Sequence, residues 1–149
     1  MQITKENLTI IIVTIKSQNV IDQCLKSIDS DIKKIIVENS QDQTFTDNLK
    51  KNYENIECYV TGKNLGMGAG NNYGINKSNT RYVMILNPDV ILRRDTLKKI
   101  FDISKNLDFA ILCPLNEDKK YPNFKNFNEK ENEKKNLIEV NQVDGYAMI

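Results

Sequence analysis

Residues 8–17 read LTIIIVTIKS. The first seven are apolar or β-branched with no alternation, the pattern of a strand covered on both faces, as in a parallel sheet. Directly behind it, NVIDQCLKSI sets Val20, Ile21, Cys24, Leu25 and Ile28 at helical spacing, with Ser17 or Asn19 in place to cap the helix. The chain therefore opens strand then helix, and the same alternation recurs. KKIIVENS (33–40), IECYV (56–60) and RYVMILNPDV (81–90, with the strand ending at Asn87) read as strands, and FAILCPL (109–115) as a fifth stopped by Pro114. Between them, FTDNLKKNY (45–53), AGNNYGINKS (69–78) and RRDTLKKIFDISKN (93–106) read as helices, the last with Leu97, Ile100, Phe101 and Ile103 on one stripe. Short strands each followed by a helix imply right-handed crossovers, hence an α/β fold with a mainly parallel Rossmann-like sheet and helices on both faces. Residues 116–136 are highly charged and aperiodic and read as a mobile surface loop. LIEVNQVDGYAMI (137–149) regains apolar character as a last strand, a glycine turn and the start of a further element.

Composition narrows the chemistry. At 149 residues the chain is expected to be one domain, 1–149. A net charge of +1 gives no long-range field to attract nucleic acid, so no nucleic-acid partner is expected. The apolar part of the N-terminal segment is too short for a signal peptide or a membrane span. Three widely spaced cysteines in apolar contexts fit neither a disulfide framework nor a metal site, and point to the cytoplasm. The chain has no histidine. That removes Ser-His-Asp and Cys-His catalysis and His-ligated zinc, leaving carboxylates, lysine, hydroxyls or a hard metal ion.

Ligands of open parallel sheets sit beyond the carboxyl ends of the strands. There the sequence places TIKS (14–17), ENSQD (38–42), TGKNLG (61–66) and NPD (87–89). KNLGMGAGNNYGI (63–75) holds four glycines and three asparagines, but it follows the third strand, whereas a dinucleotide fingerprint belongs to the first turn. Its glycines either let a helix approach the sheet closely or let a ligand approach the backbone. In NPD, Pro88 fixes the backbone so that Asn87 and Asp89 project from one turn. Such oxygen ligands suit Mg²⁺ or Mn²⁺, though Asp89 in a plain proline turn could equally cap the next segment. Glu38 could accept the imide N–H of a uracil or thymine ring, or cap a turn.

In order, IIIVTIKS, IIVENSQD, NLGMGAGNNYGI, YVMILNPDV and VDGYAMI resemble the N-terminal, donor-binding part of a family 2 glycosyltransferase of the GT-A fold, of the rhamnosyltransferase-like branch. The resemblance implies transfer of a sugar, with inversion, from a dTDP- or UDP-sugar to a hydroxyl of a carbohydrate or lipid-linked acceptor in cell-surface polysaccharide synthesis. It implies that Thr14, Glu38 and Asn39 hold base and ribose, and that Asn64, Gly66 and Asn72 line the donor pocket. Asn87 and Asp89 would stand where the family binds a divalent metal and the diphosphate. The sequence departs from the family in TIK at the first turn, in Glu38 for the commoner aspartate, and in Asn87 for the first acid of the DxD motif. It also ends at Ile149, before the family's Glu-Asp type base, so the acceptor half is expected to be absent and Asp144 is the remaining candidate base. A homo-oligomer or partner chain would then supply that half, at the inner face of the membrane if the acceptor is lipid-linked. The competing reading is a non-catalytic nucleotide-sugar-binding remnant. A nucleotidyltransferase fits less well, because no glycine-rich basic loop follows the first strand.

Overall fold

The computed structural model describes residues 2–118, 124–125 and 137–149. Strands β1 (Leu8–Thr14), β2 (Lys33–Glu38), β3 (Ile56–Val60) and β4 (Tyr82–Leu86) alternate with helices α1 (Ile21–Lys26), α2 (Gln43–Asn52), α3 (Met67–Lys77) and α4 (Thr96–Ser104). Two-residue strands follow: β5 (Phe124–Lys125), β6 (Gln142–Val143) and β7 (Ala147–Met148). The main sheet runs β3-β2-β1-β4-β7, parallel except for β7, which pairs antiparallel with β4. Because β1 lies between β2 and β4, the strand order reverses at the carboxyl ends of β1 and β4, which is where this class of sheet opens a crevice for ligands.

The even and odd residues of β1 face different helices, as a period of two requires. On one face Ile10, Ile12, Ile36 and Met84 pack with Cys24 and Leu25 of α1, Phe45 and Leu49 of α2, and Leu97 and Ile100 of α4. On the other, Ile11, Ile35 and Val37 meet Tyr73 and Ile75 of α3. Each fully buried aliphatic side chain of these layers contributes about 1.5–3 kcal/mol of transfer free energy, which makes the continuous apolar run of β1 the anchor of both layers. A Cβ added at Gly74 would stand 2.5 Å from Ile11 Cγ2, and one at Gly70 would stand 2.9 Å from Val13 Cγ1. These two glycines therefore bring α3 close to the sheet.

The α2 helix is capped by Asp42, whose carboxylate accepts from the Phe45 N–H. The expected cap of α1 is not formed by either candidate side chain. Val20 holds the N-cap position, the Ser17 carbonyl accepts from the N–H groups of Val20 and Ile21, and Ser17 Oγ turns back to Ile15. The segment FAILCPL is likewise not a strand. The edge beside β4 is occupied by β7, and Leu112 only exchanges a pair of backbone hydrogen bonds with Ile149, at 3.0 and 2.9 Å. Of the expected loop 116–136, residues 119–123 and 126–136 lie outside the described residues, and Phe124–Lys125 pairs antiparallel with Gln142–Val143.

Candidate functional site

The polar residues that end β1, β2 and β3 form one hydrogen-bonded cradle. Thr14 and Glu38 are opposite one another in the β1/β2 register, and Thr14 Oγ1 donates to Glu38 Oε2 at 2.6 Å. Ser40 Oγ donates to the other carboxylate oxygen, Oε1. Glu38 is completely buried, so the two hydroxyls supply what water would otherwise provide to its carboxylate.

Asn39, 2% exposed, points toward the glycine loop. Its Nδ2 donates to Asn64 Oδ1 at 3.0 Å and to the Gly66 carbonyl at 3.2 Å, and its Oδ1 accepts from the Leu65 N–H at 2.9 Å and from Thr61 Oγ1 at 3.3 Å. This carboxamide fixes the approach to α3. Gly66 is the N-cap at φ 81, where no side chain caps the helix, and added Cβ atoms at Gly66 and Gly68 would meet nothing within 4 Å. Packing therefore does not explain these two glycines, in contrast to Gly70 and Gly74. Close packing against the sheet accounts for the glycines at the end of the loop, and the left-handed φ of Gly66 accounts for the one that starts the helix. Asn72 is exposed on α3, whereas its neighbour Asn71 is buried without a side-chain hydrogen bond among the described residues.

Beside the cradle stands the NPD turn. Ile11 pairs with Ile85, so the same register continued along the chain brings Asn87 level with Val13. The turn is held by its backbone: Asn87 N–H donates to the Tyr146 carbonyl at 2.8 Å, and Val90 N–H donates to the Asn87 carbonyl at 3.2 Å. From below, Cys24 Sγ of α1 approaches the Asn87 carbonyl at 3.6 Å. Burial pushes the Cys24 thiol up to about 12, and the nearby negative charge of Asp89 adds to the effect. Asp89 itself is exposed, and no hydrogen bond or ion pair within the described residues engages the side chain of Asn87 or Asp89. Asp89 is thus not a cap. Two hard oxygen donors without partners on a rigid turn fit a Mg²⁺ or Mn²⁺ ion that takes its other ligands from water and phosphate. Among the described residues no three carboxylate, thiol or imidazole groups converge to hold a metal alone.

Asp144 is exposed between β6 and β7, and no hydrogen bond among the described residues orients it. It is linked to the turn through Tyr146, whose carbonyl holds Asn87 and whose phenol is pushed up by burial, then by Cys113 and Asp144. Tyr146 Oη is buried with no hydrogen-bond partner among the described residues. An open cavity of about 600 Å³ lies elsewhere, lined by Lys26, Ser27, Ile91 and Arg94 among others, and none of the cradle residues borders it. Ser40 and Thr61 complete the cradle, yet nothing in their spacing singles them out. A hydroxyl's partner is set by how neighbouring strands align, and that alignment appears only in three dimensions.

The family model of glycosyl transferase family 2 matches residues 9–148. The chain belongs to that family. Among its relatives is the low-salt glycan biosynthesis hexosyltransferase Agl10 of Haloferax volcanii, 28% identical over 115 residues, covering 73% of this chain and 36% of the relative. Another is the rhamnosyltransferase WbbL of Escherichia coli, 27% identical over 122 residues, covering 74% of this chain and 46% of the relative. The chain thus spans less than half the length of either. Among solved structures, Staphylococcus aureus TarS in complex with UDP-GlcNAc superposes with a TM-score of 0.54 at 23% identity, over 62% of this chain and 29% of that one. The mannosyltransferase PcManGT of Pyrobaculum calidifontis, in complex with GDP-Man and Mn²⁺, gives 0.56 at 14% identity, over 68% of this chain and 32% of that one. At these identities the superpositions establish the GT-A fold. No helix of the described residues is long and apolar enough to cross a membrane.

Proposed function

We propose that residues 1–149 form the donor-binding unit of an inverting glycosyltransferase, which moves a sugar from a dTDP- or UDP-sugar to a hydroxyl of a carbohydrate or lipid-linked acceptor in cell-surface polysaccharide synthesis. The observation that carries this reading is the pairing of a hydrogen-bonded cradle with a turn whose Asn87 and Asp89 side chains are unengaged, at the point where the strand order reverses. In it, Thr14, Glu38 and Asn39 form the base and ribose end of the pocket, Asn64, Gly66 and Asn72 its flank, and Asn87 and Asp89 the diphosphate end. Asn87 and Asp89 would hold a divalent metal. When bound, that ion offsets the charge that develops on the departing nucleoside diphosphate.

The transfer breaks the bond between the anomeric carbon and the phosphate oxygen, and the diphosphate keeps the electron pair. The acceptor oxygen forms the new bond from the opposite face, and its proton passes to a carboxylate. Asp144 is our candidate for that carboxylate. Its exposure, and the lack of an orienting hydrogen bond among the described residues, favour a second reading, in which these residues bind the donor and the base and acceptor site come from a further segment, a second copy or a partner chain. Work on a lipid-linked acceptor would take place at the cytoplasmic face of the membrane.

A thermal-shift panel of UDP, dTDP, GDP, CMP and NAD, each with and without Mn²⁺, tests the proposal. Metal-dependent stabilisation by a pyrimidine diphosphate is expected. Stabilisation by NAD alone, or by no nucleotide in a folded sample, would overturn it.

A further inference from the structure

Glu38 has no free edge for a ligand. It is fully buried, and its two oxygens are taken by Thr14 Oγ1 and Ser40 Oγ. Thr14 is also fully buried. Of the three linked groups only Ser40 is partly exposed, at the carboxyl end of β2. A carboxylate has no proton to give, so the Ser40 hydroxyl must spend its own proton on Glu38. Its oxygen then has two lone pairs, of which one receives the Asp42 N–H at 3.2 Å. The other accepts from no donor among the described residues, and while its proton is held by Glu38 the hydroxyl does not donate elsewhere.

We infer that Ser40 Oγ, held as an acceptor by Glu38, reads the ring N–H of the donor's base, and that Glu38 is a positioning residue without direct contact to the nucleotide. This rests on the donor-site reading above. Uracil and thymine carry a proton on N3 and complement such an acceptor. Cytosine has a lone pair on N3, so the two lone pairs would oppose one another, and a polar group covered by the base and left unpaired in this way is the strong form of discrimination.

The test is the ratio of UDP to CDP affinity in the presence of Mn²⁺, measured by titration calorimetry. A ratio of affinities does not depend on how much of a variant is folded. The native chain should prefer UDP by about 10- to 100-fold, the range expected when one buried hydrogen bond is replaced by an unpaired acceptor. Ser40→Ala should bring the ratio close to one, and Ser40→Thr should keep it. Glu38→Met leaves Thr14 with the Val37 carbonyl, which it already approaches at 3.4 Å, and frees the Ser40 proton to donate to cytosine. The ratio should therefore collapse there too, although Ser40 is intact. If Ser40→Ala keeps the native ratio while Glu38→Met loses it, Glu38 touches the base directly and the inference is wrong. Equal binding of UDP and CDP by the native chain overturns this inference and leaves the donor site standing, whereas binding of none of UDP, dTDP and CDP overturns both.

Discussion

Asn39 and Asn64 meet side chain to side chain: Asn39 Nδ2 donates to Asn64 Oδ1 at 3.0 Å, and the same oxygen accepts from the Gly66 N–H at 2.8 Å. One carboxamide at the end of β2 thereby sets the position of the loop that starts α3. Asn39→Asp replaces the two donor hydrogens with a second acceptor facing Asn64 Oδ1 and the Gly66 carbonyl. With about 1 kcal/mol per lost hydrogen bond and a further cost for opposed buried acceptors, the loss should be roughly 2–4 kcal/mol. Chemical denaturation should show an earlier midpoint with an unchanged slope, and nucleotide binding should weaken further than stability alone explains.

The glycines of α3 should separate by position. Gly74→Ala drives a methyl group against Ile11, which is buried in the central strand, and overpacking of this kind costs about 1–3 kcal/mol. Gly68→Ala meets open space and gains helix propensity, so it should leave stability unchanged or raise it by about 0.5–1 kcal/mol. Melting curves of the two variants decide the point. A destabilised Gly68→Ala would mean that the loop packs differently.

The buried thiols set an alkaline limit. Burial pushes Cys24 up to about 12 and Cys58 up to about 11 from an ordinary 9.0, so the unfolded chain releases these protons first as pH rises. Stability contributed by the protonated thiols is complete below pH 9 and is lost between pH 9 and about 12. Lys34 acts in the opposite sense: burial lowers its amine from 10.5, so its unfolded form binds more protons below that value and stability rises with pH there. The fall should therefore be clearest above pH 10.5. Denaturation midpoints measured at pH 8, 9.5 and 11 should show it, and iodoacetamide at pH 8 should leave Cys24 and Cys58 unmodified until the chain unfolds.

Much of this was legible in the sequence. The apolar run of β1 and the helical stripes of α1 and α4 gave the parallel sheet, because burial on both faces leaves a one-dimensional signature. The placement of Asn87 and Asp89 on a turn beyond a buried strand followed from Pro88. The last strand was harder. FAILCPL has the composition of a strand, but the place beside β4 goes to Ala147–Met148, and competition for one sheet edge leaves no local trace. Glu38 illustrates the limit within the site. Its position at the end of β2 was evident, yet that Thr14 and Ser40 seal its carboxylate depends on the register of two strands. The glycine loop carried two readings in the sequence, and the structure bears out close packing for Gly70 and Gly74, while Gly66 answers to its left-handed φ.

The central claim is a nucleoside diphosphate site whose diphosphate end is the NPD turn. Titration calorimetry of UDP and dTDP with and without Mn²⁺, on the native chain and on Asp89→Ala, tests it most directly. Asp89 is exposed and makes no hydrogen bond among the described residues, so the substitution should leave the melting temperature of the free protein unchanged. The account predicts binding that needs Mn²⁺ in the native chain and falls at least about 10-fold in the variant, as expected when a charge-assisted contact worth roughly 1.5–3 kcal/mol is removed. Equal binding by both proteins, or binding indifferent to Mn²⁺, would contradict it.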